Sequence, residues 1–289
     1  MAGSVLWQAG AEWEVHALSR GPALLEREGL YWYTLADPCD PARLRRLLQD
    51  IRPHAIVHTA AIADIDYCEA HRDLADKINV GLTQTLAELC VELGAKLVHC
   101  STDNVFDGEH APYREEDAPG PVNCYAETKV AAERIVLALP VPAVVARLAA
   151  VVGLPVLGAG NSFLSRMRAS FEHGREVGVP PAEVRTPVDV ITLGQALLEL
   201  AGDAHTGIFH LAGNDILNRY EMVRRIAARL GFSEGLVVPN DPTGIPGRAS
   251  RPRDVSLDNA KARNHLKTPM RSLDDGLALI LDAERRLVK

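Results

Sequence analysis

Through the first half of the chain, short apolar runs typical of buried strands alternate with stretches in which apolar residues recur at helical spacing. Three short apolar runs predict buried parallel strands, at residues 54–58, 96–100 and 143–147. Apolar residues recur at helical spacing over residues 74–93, where Gly94 is a stop signal. A second helix is predicted over residues 125–139, before Pro140. This alternation predicts an α/β fold with a doubly wound parallel sheet.

The second half of the chain is less regular. Gly and Pro cluster in residues 153–161 and 178–187. One more strand is predicted at residues 207–211, and Asn218 with Glu221 three positions later is typical of a helix start. Because no linker separates the two halves, we expect a smaller C-terminal lobe that is interleaved with the first rather than joined in series.

Composition and charge exclude several classes of protein. The 289 residues carry a net charge of -7, which argues against a nucleic-acid or anionic-membrane partner. The five cysteines are scattered, and their spacing predicts no metal site. The sequence shows neither a signal peptide nor an apolar run of about 18 residues, so a cytoplasmic protein is expected.

Candidate chemistry lies where a predicted strand runs into the sequence STDNVFDG. Ligands of open parallel sheets bind beyond the carboxyl ends of strands, which is where Ser101, Thr102 and Asp103 follow. In the sequence YAETK, Tyr125 and Lys129 share one helix face. A nearby lysine can lower the pKa of a phenol, so Tyr125 beside Thr102 would form a proton-transfer pair. The alternative is an exposed Tyr–Lys pair without function.

The chain resembles the extended short-chain dehydrogenase/reductases. It is most similar to the dTDP-4-dehydrorhamnose reductase family, which includes the regulatory β subunit of methionine adenosyltransferase. The similar stretches span nearly the whole chain in the same order: VHTAA (57–61), STDNVFDG (101–108), PYREEDAPGPVNCYAETKVAAE (112–133), NRYEMVRRIA (218–227) and RPRDVSLD (251–258).

The resemblance implies a Rossmann-type core and a set of catalytic roles. The dinucleotide-binding core would span residues 1–150 with 186–215 returning to it, and the substrate lobe would comprise 151–185 and 216–289. Tyr125 would exchange a proton with the substrate, Lys129 would hold the nicotinamide ribose, and Thr102 would bind the reacting carbonyl. The implied activity is an NADP(H)-dependent reduction of a nucleotide-linked 4-keto sugar.

The resemblance also assigns cofactor residues. Ser19 and Arg20 end the second strand of the family, where an arginine suits a ribose 2′-phosphate, so NADP(H) is favoured over NAD(H). An exposed arginine without this role is the alternative. The other implied cofactor residues, besides Tyr125 and Lys129, are Gly3, Asp37, Pro38, Thr59, Ala60, Ala61 and Cys100.

The substrate residues implied by the resemblance are Thr102, Asp103, Asn104, Asn161 and Arg251. Asn104 departs from the family pattern, which has a tyrosine there, so the sugar stays open. Arg251 and Arg253 would pair with a diphosphate, since a guanidinium matches phosphate oxygens, or would form structural ion pairs. Asn79 would brace the active-site strand or lie on a helix surface.

The first residues depart further from the family. Gly3 aligns with the last glycine of its dinucleotide fingerprint, and the preceding strand and two glycines have no counterpart. We expect the natural chain to start upstream. The alternatives are that another segment or a partner chain fills this place, or that the protein is a scaffold without cofactor.

Two other functions are compatible with the same motifs. One is a non-catalytic regulatory subunit resembling the methionine adenosyltransferase β chain, and the other is a nucleotide-sugar epimerase or dehydratase. For the reductase, the implied binding partner is a small nucleotide-sugar substrate. A homodimer is compatible with this interpretation.

Overall fold

A computed structural model describes residues 1–157, 162–242 and 244–287. Its α-helices are α1 (Ala2–Gln8), α2 (Pro41–Ile51), α3 (Ile65–Ala70), α4 (Arg72–Asp76), α5 (Leu82–Leu93), α6 (Cys124–Leu137), α7 (Phe163–Glu172), α8 (Val190–Gly202), α9 (Arg219–Arg229), α10 (Ala260–His265) and α11 (Leu273–Leu287). The strands are β1 (Val15–Ser19), β2 (Leu30–Thr34), β3 (Ala55–His58), β4 (Lys96–Thr102), β5 (Ala143–Leu148), β6 (Val151–Val152), β7 (Val177–Val179), β8 (Val184–Arg185), β9 (Val188–Asp189), β10 (Gly207–Leu211), β11 (Leu217–Asn218) and β12 (Val237–Pro239).

The main sheet is parallel and has the strand order β10–β5–β4–β3. All seven residues of β4 are buried, as expected for a central strand covered by helices on both faces. The strands β1 and β2 pair in parallel as a separate two-stranded sheet. The α/β prediction with parallel strands is therefore confirmed, although the described residues divide these strands between two sheets.

The predicted helix over residues 74–93 is interrupted. Helices α4 and α5 are joined by a π-helical turn, Lys77–Gly81, and α5 ends at Gly94 with a positive φ of 66°. The wider turn directs Asn79 inward, where its Oδ1 accepts from the Ile62 amide at 2.8 Å and its Nδ2 donates to the Ile62 carbonyl at 3.0 Å. Asn79 is 1% exposed and therefore braces the segment after β3.

Two hydrophobic clusters form the core. The first lies on the main sheet and includes Val98, Val144 and Leu197. The second lies among α7, α9 and α11 and includes Phe171 and Ile226. Helix α8 supplies residues to both clusters, so the C-terminal elements pack directly on the sheet. The exact lobe boundaries stay a prediction.

Two negative findings apply to residues 1–157, 162–242 and 244–287. No helix there is long and apolar enough to cross a bilayer. The same residues contain no group of three or more side chains placed to hold a metal ion.

Candidate active site

Polar side chains converge where β4 ends. Thr102 is 6% exposed, and its hydroxyl donates to Asp103 Oδ1 at 3.1 Å while accepting from the Asn104 amide at 3.2 Å. The Asn104 side chain also donates to Asp103 Oδ1, at 2.8 Å. The Thr102 side chain therefore caps the short 3₁₀ turn Asp103–Val105. These hydrogen bonds fix Thr102, Asp103 and Asn104 relative to one another.

Helix α6 places Tyr125 and Lys129 against this strand end. Its N-cap is Asn123, whose Oδ1 accepts from the Ala126 amide at 2.9 Å. The Asn123 Nδ2 also donates to the Ser250 carbonyl at 2.9 Å, so one side chain fixes both the helix and the loop before Arg251. Sequence reasoning missed Asn123, although an Asn directly before a helical motif is a recognised start signal.

The Lys129 ammonium is held inside the protein. Its Nζ lies 2.7 Å from the Cys100 carbonyl oxygen and 3.0 Å from His99 Nε2, and the residue is 2% exposed. Burial lowers the pKa of Lys129 from 10.5 to about 8, because desolvation penalises the charged amine.

The pKa of the Tyr125 phenol is shifted in the direction opposite to the prediction. Burial raises the pKa of Tyr125 above its usual value of 10.0, and the side-chain hydrogen bond with Thr102 lowers it only in part. The nearby Asp103 also raises this pKa. The expected lowering by Lys129 is therefore wrong for this structure, since desolvation dominates; the phenol keeps its proton and is available as an acid.

A buried arginine that sequence reasoning missed faces the same turn. Arg185 Nε lies 4.0 Å from Asp103 Oδ2, and both residues are buried. Burial raises the pKa of Asp103, while the Arg185 charge opposes the shift. Arg185 also pairs with Glu183, which in turn binds Arg219 and Arg248. No local sequence pattern signals this cluster, because Asp103 and Arg185 lie far apart along the chain.

The predicted substrate residue Arg251 is engaged by a carboxylate. Its two terminal nitrogens lie 2.6 and 2.8 Å from the two oxygens of Asp66, which also accepts from the Ala249 amide. The structural ion pair that the sequence left open is thus present, and a diphosphate contact stays a prediction. Arg253 is exposed. Asn161 lies outside the described residues.

Gly108 lets the loop of residues 251–254 approach the turn after β4. Its φ is +90°, and an added Cβ would stand 2.7 Å from the Arg253 amide nitrogen. We expect Gly108→Ala to cost more than the ~1–3 kcal/mol of a positive φ alone, because the loop must also shift. Gly174→Ala is the matched control, since Gly174 has a φ of +64° and no atom of the described part of the chain lies within 4 Å of an added Cβ. Urea unfolding of both variants measures the difference, and equal losses would contradict the steric argument.

The predicted cofactor residues occupy exposed and buried positions. Asp37, Ala60 and Ala61 are exposed, Pro38 and Thr59 are half-buried, and Cys100 is buried. Gly3 lies within α1. At the end of β1, the Ser19 hydroxyl donates to the Gly21 carbonyl at 2.7 Å, and Arg20 is exposed. The residue types at these positions, an exposed guanidinium at Arg20, small residues after β3 and a buried lysine at Lys129, suit a phosphorylated dinucleotide, and their part in cofactor binding stays a prediction.

Comparison with known proteins shows the family of the chain. The family model described as RmlD substrate binding domain matches residues 3–286. The chain belongs to this family. It is 31% identical over 283 residues to the dTDP-4-dehydrorhamnose reductase of Mycobacterium tuberculosis, which covers 96% of this chain and 90% of that protein. It is 33% identical over 230 residues to the bovine (Bos taurus) methionine adenosyltransferase 2 subunit beta, and the match covers 76% of this chain and 67% of that protein.

Solved structures of other proteins share the fold. The dTDP-4-dehydrorhamnose reductase of Bacillus anthracis, in complex with NADP, has a TM-score of 0.83 at 26% identity and covers 93% of this chain and 98% of that chain. A UDP-glucose 4-epimerase of Thermotoga maritima, with UDP-glucose, has a TM-score of 0.78 at 21% identity and covers 95% and 92%. At that identity the epimerase shows the fold alone. The predicted dTDP-4-dehydrorhamnose reductase family and Rossmann-type fold are confirmed.

Proposed function

We propose that the protein is an NADP(H)-dependent reductase of a nucleotide-linked 4-keto sugar. The observation that carries the proposal is the buried Tyr125 phenol beside the Thr102 hydroxyl, with Lys129 one helical turn further along α6. The likeness to dTDP-4-dehydrorhamnose reductases, one of them solved with NADP, supports the substrate and cofactor class.

The side chains of this chain would act on the substrate oxygen. A bound reduced nicotinamide supplies the hydride to the carbonyl carbon. Tyr125 donates its proton to the carbonyl oxygen as negative charge develops there, since burial keeps the phenol protonated. Thr102 orients that oxygen by a hydrogen bond, and the Lys129 ammonium stabilises the phenolate that Tyr125 becomes. The substrate carbonyl becomes an alcohol.

A product assay tests the proposal. The protein is incubated with NADPH and dTDP-4-dehydrorhamnose, and both reduced sugar and oxidised cofactor are quantified. One NADPH oxidised for each alcohol formed supports a reductase. Conversion of a nucleotide sugar without net NADPH consumption would instead identify an epimerase or a dehydratase and overturn the proposal.

Arg20 provides a prediction about the cofactor. We expect Arg20→Glu to weaken NADPH binding about tenfold to hundredfold, because a charged hydrogen bond to the 2′-phosphate contributes ~1.5–3 kcal/mol. NADH binding should change much less. Titration calorimetry with both cofactors measures the ratio, and Arg46→Glu on the exposed face of α2 is the control for net charge. Equal loss of NADPH and NADH affinity would remove Arg20 from the 2′-phosphate site.

A regulatory subunit is the second candidate. It is favoured by the 33% identity to the bovine methionine adenosyltransferase 2 subunit beta. Co-purification with a methionine adenosyltransferase, together with altered synthetase kinetics, would support it. A homodimer that turns over NADPH without such a partner would count against it.

A further inference from the structure

The ionisable contacts of Lys129 include a histidine without an assigned role. His99 belongs to β4, has no exposed surface, and presents Nε2 to Lys129 Nζ at 3.0 Å. Among the described residues, the acceptors of the Lys129 hydrogen bonds are this nitrogen and the Cys100 carbonyl oxygen. An ammonium has three donors and no acceptor, so His99 Nε2 must be the unprotonated ring nitrogen while Lys129 is charged.

This tautomer leaves a proton on His99 Nδ1, which is buried and has no hydrogen-bond partner among the residues that the structure describes. A buried donor without a partner is rare in folded proteins. The imidazole therefore accepts a hydrogen bond from Lys129 at Nε2, while its Nδ1–H stays without an acceptor. We infer from this that the contact with Lys129 fixes the tautomer.

The other groups around Lys129 do not replace this contact. Burial raises the pKa of the Cys100 thiol to about 12, so the thiol is neutral. On β3, burial lowers the pKa of His58 to about 3, and its Nε2 is engaged with Thr83 Oγ1 at 3.1 Å. On α6, Glu133 binds Ser101 and Arg147. Tyr125, also on α6, keeps its proton because burial raises its pKa.

We propose that His99 is a positioning residue that holds the Lys129 ammonium by accepting a hydrogen bond at Nε2. The ammonium thereby keeps its charge in a buried site and retains one N–H for a further partner. A charged Lys129 would stabilise the Tyr125 phenolate, and only this catalytic consequence rests on the proposed function. The contact itself is a property of the ligand-free protein.

Nuclear magnetic resonance on the ligand-free, isotope-labelled protein tests this inference. The imidazole ¹⁵N shifts should show His99 with its proton on Nδ1 at neutral pH, and Lys129→Met assigns the lysine signal. In His99→Leu the pKa of Lys129 should fall by about one unit, a tenfold change in its protonation equilibrium, because the charged form loses an acceptor. His99→Gln retains an acceptor and should restore the titration.

The controls separate this role from general damage to the core. His210→Gln removes another fully buried histidine and should leave the Lys129 titration unchanged. A wild-type His99 that carries its proton on Nε2 at neutral pH would overturn the proposal, even where His99→Leu fails to fold. A folded His99→Leu with an unshifted Lys129 would overturn it as well. Absence of NADPH turnover would refute the proposed function and leave these readouts intact.

Discussion

Tyr125→Phe should lower NADPH-dependent turnover by about 10²–10⁴-fold, the usual contribution of a positioned general acid. The phenol shares a side-chain hydrogen bond with Thr102, and burial keeps it protonated at neutral pH. The aromatic ring itself packs against Cys68 and Cys124 in a small buried cluster, which phenylalanine can preserve. Steady-state kinetics together with thermal unfolding therefore separate lost chemistry from lost packing.

The matched control is Tyr31→Phe, at a tyrosine that is 48% exposed on β2. It should leave turnover unchanged. A folded Tyr125→Phe variant with wild-type turnover would remove Tyr125 from proton transfer. Loss of turnover together with a large loss of stability would point to a structural role instead.

Arg147→Ala should cost about 3–5 kcal/mol of unfolding free energy, because it leaves a buried carboxylate without its partner. Arg147 Nη2 lies 2.9 Å from Glu133 Oε2, and both side chains are 2% exposed. Ser101 donates to the same carboxylate at 2.5 Å, and the Arg147 guanidinium stacks over Phe106. Together with Ser101, which precedes Thr102 on β4, the pair links β4, β5 and α6.

Urea unfolding measures this loss. Arg224→Ala is the control, because its ion pair with Glu234 has side chains 40% and 46% exposed and should contribute only about 0–1 kcal/mol. Replacing both partners, as Glu133→Leu with Arg147→Met, should restore much of the stability. An Arg147→Ala loss no larger than that of Arg224→Ala would show that the buried pair is not a stabilising unit.

Local features of the sequence were predictable because they depend on neighbours along the chain. The strand at residues 207–211 agrees with β10, and Asn218 accepts from the Glu221 amide at 2.8 Å as the capping pattern predicts. Tyr125 and Lys129 lie together on α6 because positions four apart share a helix face.

Features that depend on distant partners were not predictable. The guanidinium of Arg251 can bind a phosphate as well as a carboxylate, and only the fold brings Asp66 close to it. Burial also reversed the expected pKa of Tyr125, since desolvation depends on the whole surrounding core. The π-helical turn at Lys77–Gly81 leaves the apolar spacing almost unchanged, so the sequence predicts one continuous helix there.

The measurement that tests the central claim most directly is isotope transfer from cofactor to sugar. NADPH carrying deuterium at the transferable position is incubated with dTDP-4-dehydrorhamnose and the protein, and the product is analysed by mass spectrometry and NMR. The account predicts one deuterium on the former carbonyl carbon, with that product formed about 10²–10⁴-fold more slowly by Tyr125→Phe. Unchanged substrate despite bound NADPH, or reduced sugar without deuterium, would contradict it.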